Sequence, residues 1–107
     1  LLDIDVQGAR QIQKIFPQSV LIFVLPPSQQ ALRQRLEGRK TDPPDVIAKR
    51  LRKAKDEIRQ YHLYNYVIIN DILDQALMEL LSIVRAERTR VEKLDHTWVV
   101  DSFLREE

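Results

Sequence analysis

The sequence predicts an α/β fold built on a parallel sheet, and two observations carry that assignment. The runs VLIFVL (20–25) and YVII (66–69) are short, continuous and apolar, as strands covered on both faces require. Between and after them lie stretches whose apolar residues recur every three or four positions, the spacing of amphipathic helices. The order strand, helix, strand, helix pair, strand, helix is that of a parallel sheet with crossover helices.

Leu1 to Val6 reads as the first strand, with Asp3 and Asp5 at alternate positions and Gly8 as its break. Ala9 to Phe16 follows as a short helix ended by Pro17. Val20 to Leu25 is the second strand, too short for a buried helix, rich in strand formers and bounded by Ser19 and Pro26-Pro27. Ser28 is placed to cap a helix from about Gln29 to Glu37 that stops at Gly38. Thr41-Asp42-Pro43-Pro44 opens the next helix: a capping side chain, then prolines whose missing N–H is harmless in a first turn. Ile47, Leu51, Ala54, Ile58 and Tyr61 form its apolar stripe. Tyr66 to Ile69 is the third strand. Asn70 and Asp71 then turn the chain into a helix with Leu73, Leu77, Leu80, Leu81 and Val84 on one side. After Arg88 the tail is charged and then holds His96-Thr97-Trp98-Val99-Val100, read as a terminal helix or an appendage with Trp98 in a packing role.

The 107 residues suffice for one domain, and 44 % apolar residues can supply a core. A net charge of +1 argues against a generic polyanion binder. No apolar run approaches the ~20 residues of a membrane helix, and the 107 residues themselves show no basic leader with an apolar core. The absence of cysteine excludes disulfides and thiolate metal sites and fits a cytoplasmic protein. His62 and His96 stand far apart, in no ligand spacing. A parallel sheet of three strands, the first beginning at residue 1, would leave faces and edges uncovered. The expectation is that the chain is the C-terminal part of a larger domain, or that another chain completes it.

Three features carry chemistry. Asp3 and Asp5, two apart on a strand, share one face at the end where open α/β sheets bind ligands. They are placed to hold magnesium through its waters or to accept from the N–H groups of a base, and equally to be solvated acids. Between Arg33 and Arg59 lie ten basic and five acidic residues, a local charge of +5. Such a helical hairpin suits a polyphosphate, because each guanidinium presents a planar fork and stays charged. It is also readable as a solvated face with pairs such as Asp56 with Gln60 or Lys53 with Glu57. Asn70 is a turn residue beside a capping aspartate, or an amide set beside a nucleobase.

Taken together, LLDIDVQGAR (1–10), IFVLPPS (22–28), LRQRLEGRKT (32–41), VIAKRLRKAKDEI (46–58) and YNYVIIND (64–71) resemble the guanylate kinases of the P-loop nucleoside monophosphate kinase group. The resemblance covers residues 1–88 as a C-terminal portion of that domain, with a helical lid at about 33–55, and leaves 89–107 as a tail. It implies a P-loop NTPase-type three-layer fold and transfer of the ATP γ-phosphoryl group to GMP, with magnesium. Carried over by residue, Asp3 resembles the acid near magnesium and the phosphates, Asp5 the acid that recognises guanine, and Gly8 the close-approach glycine. Arg35 is similar to the arginine that packs on adenine, Arg39 and Arg50 to the lid arginines that clamp ATP phosphates, and Asn70 to an adenine-side residue. The departures are Lys40 for a common glycine, Asn65 for an aspartate and Ile72 for a frequent aspartate.

No G-x-x-x-x-G-K-[ST] loop occurs in the 107 residues, so the chain alone is expected to be inactive. The alternative reading is a guanylate-kinase-like protein-interaction module without catalysis. Retention of Asp3, Arg39 and Arg50 favours the enzyme lineage. The basic segment lacks interleaved aromatics, which argues against nucleic acid as a partner. An incomplete domain with exposed apolar surface is open to self-association.

Overall fold

The computed structural model describes residues 5–38 and 42–106. Asp3, Arg39, Lys40 and Thr41, and most of the expected first strand, lie outside the described residues. Helix α1, Val6–Ile15, begins where the sequence suggested the end of a strand. Asp5 is the reason. Its backbone is extended at φ −78° and ψ 178°, and its carboxylate accepts the Gly8 N–H at 2.8 Å. An aspartate in that position satisfies one of the orphan donors of a first turn. Gly8 is therefore inside the helix and breaks nothing. Val6 and Ala9, three apart, form its buried face.

Strand β1, Ile22–Leu25, pairs in parallel with β2, Tyr66–Ile69, with Ile22 opposite Tyr66 and Leu25 opposite Ile69. These two make up the sheet among the described residues. Leu21, just ahead of β1, is buried, and its carbonyl accepts the N–H groups of Asn65 and Tyr66 at 2.8 and 3.1 Å. The Asn65 side chain returns the bond, with Oδ1 accepting the Leu21 N–H at 2.8 Å. An aspartate has the same acceptor, so the departure at position 65 keeps this link. Among the described residues Ile68 is the most deeply buried large side chain, at 2 % exposure.

Helix α2, Gln29–Glu37, matches its expected bounds, with the Ser28 hydroxyl accepting the Ala31 N–H at 3.0 Å. It ends at Gly38 in right-handed backbone. Helix α3, Pro44–Ile58, starts at the expected prolines, but the expected cap does not form. Pro43 occupies the capping position, and its carbonyl takes the N–H groups of Val46 and Ile47. Along α3, Leu51 is buried and Ile47, Ala54 and Ile58 are half-buried. Tyr61 leaves the stripe: it starts a separate 3₁₀ turn, Tyr61–Leu63, and is exposed. Helices α2 and α3 pack on one another.

Helix α4, Leu73–Arg88, opens on the Ile72 carbonyl, which accepts the Ala76 N–H at 3.0 Å. The capping position is thus Ile72, not Asp71. Its expected stripe is only partly covered: Leu80 and Val84 are half-buried, whereas Leu73, Leu77 and Leu81 are exposed. The chain forms two compact units, 1–76 and 77–107. In the second, the tail is helical in short pieces. Asp95 caps α5, His96–Val99, which runs into a π-helical turn at Val100–Leu104. Trp98 packs edge-to-face on Phe103 with ring centres 5.5 Å apart. No described helix is long and apolar enough to cross a membrane.

Candidate functional site

The carboxyl ends of β1 and β2 are joined by the Asn70 N–H, which donates to the Leu25 carbonyl at 2.7 Å. This carries the parallel ladder one step beyond the strands and fixes the backbone of Asn70. Its own carbonyl then accepts from Nη2 of Arg35 at 3.2 Å. Arg35 stands on α2, which leaves β1 through Pro26 and Pro27, so the geometry brings together two residues 35 positions apart. Arg35 is exposed and makes no ion pair among the described residues. Its guanidinium is held by a neutral carbonyl rather than by a carboxylate.

The other described arginines of the basic segment are in part neutralised. Arg50 pairs through Nη1 with the Asp42 carboxylate, and Arg59 pairs with Asp56. The pairing of the segment thus differs from that expected: Asp56 serves Arg59, and Gln60 donates only weakly, at 3.4 Å, to the Asp56 backbone carbonyl. Gln60 also accepts from Arg10, which links α1 to the end of α3.

Asp5 and Gly8 are bound to each other, and among the described residues neither shares a hydrogen bond or ion pair with Arg35, Arg50 or Asn70. Asp5 instead joins Glu57 and Tyr64 around a cavity of ≈ 190 Å³ that is also lined by Ile22, Phe23 and Val24 of β1. Tyr64 stacks on Phe23 with ring centres 4.4 Å apart. Burial pushes the Tyr64 phenol above its ordinary value, and the carboxylates of Glu57 and then Asp5 push it the same way. Sequence reasoning missed Glu57 and Tyr64. The available signal was the Tyr-Asn-Tyr stretch after an α3 glutamate, but nothing local ties it to Asp5 some sixty residues earlier.

A larger cavity of ≈ 440 Å³ lies between α2 and α3, lined by Leu25, Pro26, Leu32 and Ile58 with Lys55 and Arg59. None of the expected site residues lines it. Among the described residues no three His, Cys, Asp or Glu side chains gather to hold a metal ion. Asp3, the one residue assigned toward magnesium, lies outside them, and so does Arg39.

The family model described as "Guanylate kinase" matches residues 1–87. The guanylate kinase of Chromohalobacter salexigens is 51 % identical over 94 residues, 88 % of this chain and 44 % of the relative. That of Histophilus somni is 58 % identical over 90 residues, 84 % of this chain and 43 % of the relative. Among solved structures, the crystal structure of guanylate kinase from Anaplasma phagocytophilum superposes with a TM-score of 0.78 at 29 % identity, over 100 % of this chain and 50 % of the other. The chain thus spans about half the length of the relatives it matches.

Proposed function

The chain belongs to the guanylate kinase family, and on that premise we propose that it forms the lid and adenine side of an enzyme that transfers the γ-phosphoryl group of ATP to GMP, giving ADP and GDP. Its α/β fold is that of the P-loop NTPase-type guanylate kinases. The observation that carries the reading is the Arg35–Asn70 bridge at the carboxyl end of the parallel strands. Open α/β sheets take their ligands there. A charged guanidinium held on a neutral carbonyl keeps its planar face for stacking on a base.

In this reading Arg35 packs on adenine with Asn70 beside it. Arg39 and Arg50, on the lid, clamp the ATP phosphates. Asp5 accepts from the N–H groups of guanine, and Gly8 leaves room for the nucleotide next to it. Magnesium would neutralise charge on the ATP oxygens, with Asp3 holding its waters. In this reading the described residues bind and orient nucleotide and, through lid closure, exclude water.

Phosphoryl transfer depends on positioning and charge stabilisation. The 107 residues lack the glycine-rich loop with its lysine that cradles the phosphates. The chain alone is therefore expected to show no GMP-dependent ADP release. Mixed with a separately made N-terminal half of a relative, it is expected to turn over only when both ATP and GMP are present. Ordinary turnover by the chain alone would overturn its assigned inactivity. A mixed sample that assembles but binds neither nucleotide would overturn the enzymatic reading.

A further inference from the structure

Asp42 stands where a helix cap belongs, yet it does not cap α3. Pro43 takes that position, and its carbonyl receives the Val46 and Ile47 N–H groups at 3.1 and 3.2 Å. The Asp42 carboxylate reaches instead to Nη1 of Arg50, on the second turn of the helix. The pair is half-buried, with side-chain exposures of 22 % for Asp42 and 40 % for Arg50. We propose that Asp42 is a positioning residue for Arg50: it holds the guanidinium in one orientation, with its remaining N–H groups set toward a polyphosphate. This rests on the reading of Arg50 as a lid arginine.

Three physical points support it. Long helical side chains lean toward the helix start, so Arg50 is drawn to the positive end of α3, where a second positive charge is disfavoured unless an anion accompanies it. Asp42 is that anion. The pair uses one nitrogen of Arg50 and one oxygen of Asp42, whereas a guanidinium carries five N–H donors. Most of the fork therefore stays available, and its orientation is set before a ligand arrives, which lowers the rotamer freedom lost on binding. Finally, both residues belong to one continuous segment, so the pair travels with α3 and survives a movement of the helix as a body.

Asp45 provides the control. It lies in the first turn of the same helix, is exposed, and makes no ion pair among the described residues. Removing either acid deletes one negative charge near the same helix end. By charge alone, both Asp42→Asn and Asp45→Asn tighten binding of a polyanion.

The test is calorimetric titration of the 107-residue chain with inorganic tripolyphosphate. The Arg50 Nε–Hε signal, followed by NMR, reports the order of the guanidinium. The expected result is that Asp42→Asn weakens binding at least threefold and broadens or shifts the Arg50 signal. Asp42→Glu recovers most of the affinity, Asp45→Asn is neutral or tighter, and Asp42→Asn has no further effect in an Arg50→Gln background. Asp42→Glu keeps the test informative should the asparagine variant fold poorly. Unchanged or tighter binding by Asp42→Asn overturns the proposal, as does absence of tripolyphosphate binding by the parent chain. The family reading is judged separately, by GMP-dependent ADP release of the mixed halves. Turnover there together with an unaffected Asp42→Asn titration removes the role of Asp42 and leaves the enzymatic reading in place.

Discussion

Arg35 and Asn70 meet across 35 positions of chain: a guanidinium nitrogen of α2 donates to the backbone carbonyl that follows β2, at 3.2 Å. The bond is exposed and single, so its contribution to folding is small, within about 0.5 kcal/mol. Arg35→Ala should leave the urea midpoint of the chain nearly unchanged. In the assembled enzyme it should weaken ATP binding about fivefold, the loss of about 1 kcal/mol of stacking and cation–π attraction. Calorimetric titration with ATP checks this, and an unchanged affinity would remove Arg35 from the adenine site.

Asp5 caps α1, and one substitution separates that role from the guanine contact proposed for it. Asparagine caps a helix about as well as aspartate, whereas alanine loses about 1 kcal/mol. Asp5→Ala should therefore lower the stability of the chain by that amount, and Asp5→Asn should leave it close to the parent in urea titrations. In the assembled enzyme Asp5→Asn should weaken the preference for GMP over AMP. Unchanged preference would confine Asp5 to capping.

Ile68 is the point where the described core is most sensitive. Its side chain is 2 % exposed between flanking positions, Val67 and Ile69, that are 42 % and 49 % exposed. Ile68→Ala should cost about 2–5 kcal/mol through lost burial and the cavity left behind. Val67→Ala should cost less than half as much. Denaturant unfolding followed by circular dichroism compares the two.

Tyr64 gives the fold a signature in base. Its phenol ionises above the ordinary value of 10.0 because burial and the charges of Glu57 and Asp5 disfavour the phenolate. The folded state therefore holds this proton more tightly than the unfolded chain does. The contribution is intact below pH 10.0 and is lost as pH rises through the folded-state value. Relative to the parent, Tyr64→Phe should flatten the fall of stability above about pH 10. Parallel pH slopes for the two proteins would contradict that linkage.

Arg50 is expected to matter for rate more than for folding. Arginine stabilisation of charge in phosphoryl transfer is worth about 10³–10⁵ in turnover. In an assembled enzyme, Arg50→Ala or Arg39→Ala should lower turnover at least about a hundredfold, a conservative reading of that range. A loss under about threefold for both would remove the lid assignment.

Much of the fold was legible in the residues themselves. Ser28 and Gly38 bound α2 at Gln29–Glu37, and the prolines of the next segment mark the start of α3 at Pro44. YVII is β2 as it stands. The misread positions share a cause. Asp5, Asp42 and Asp71 are all residues with more than one short-range use, and the competition among those uses is decided by neighbours that composition does not reveal. Asp5 caps a helix where the local pattern suggests a strand end, Asp42 leaves its cap for Arg50, and Ile72 takes the position expected of Asp71.

What the sequence determined by itself is the set of local elements and the family motifs, because helix periodicity, capping and strand runs are settled among residues a few positions apart. Only the tertiary fold settled which distant groups met. Arg35 found the carbonyl of Asn70, Asn65 closed the entrance of the ladder on Leu21, and Asp5 came to share a cavity with Glu57 and Tyr64. Those meetings span 35 to about 60 positions of chain, and their geometry follows from the parallel pairing of β1 with β2 and the placement of helices around it, which no local pattern specifies.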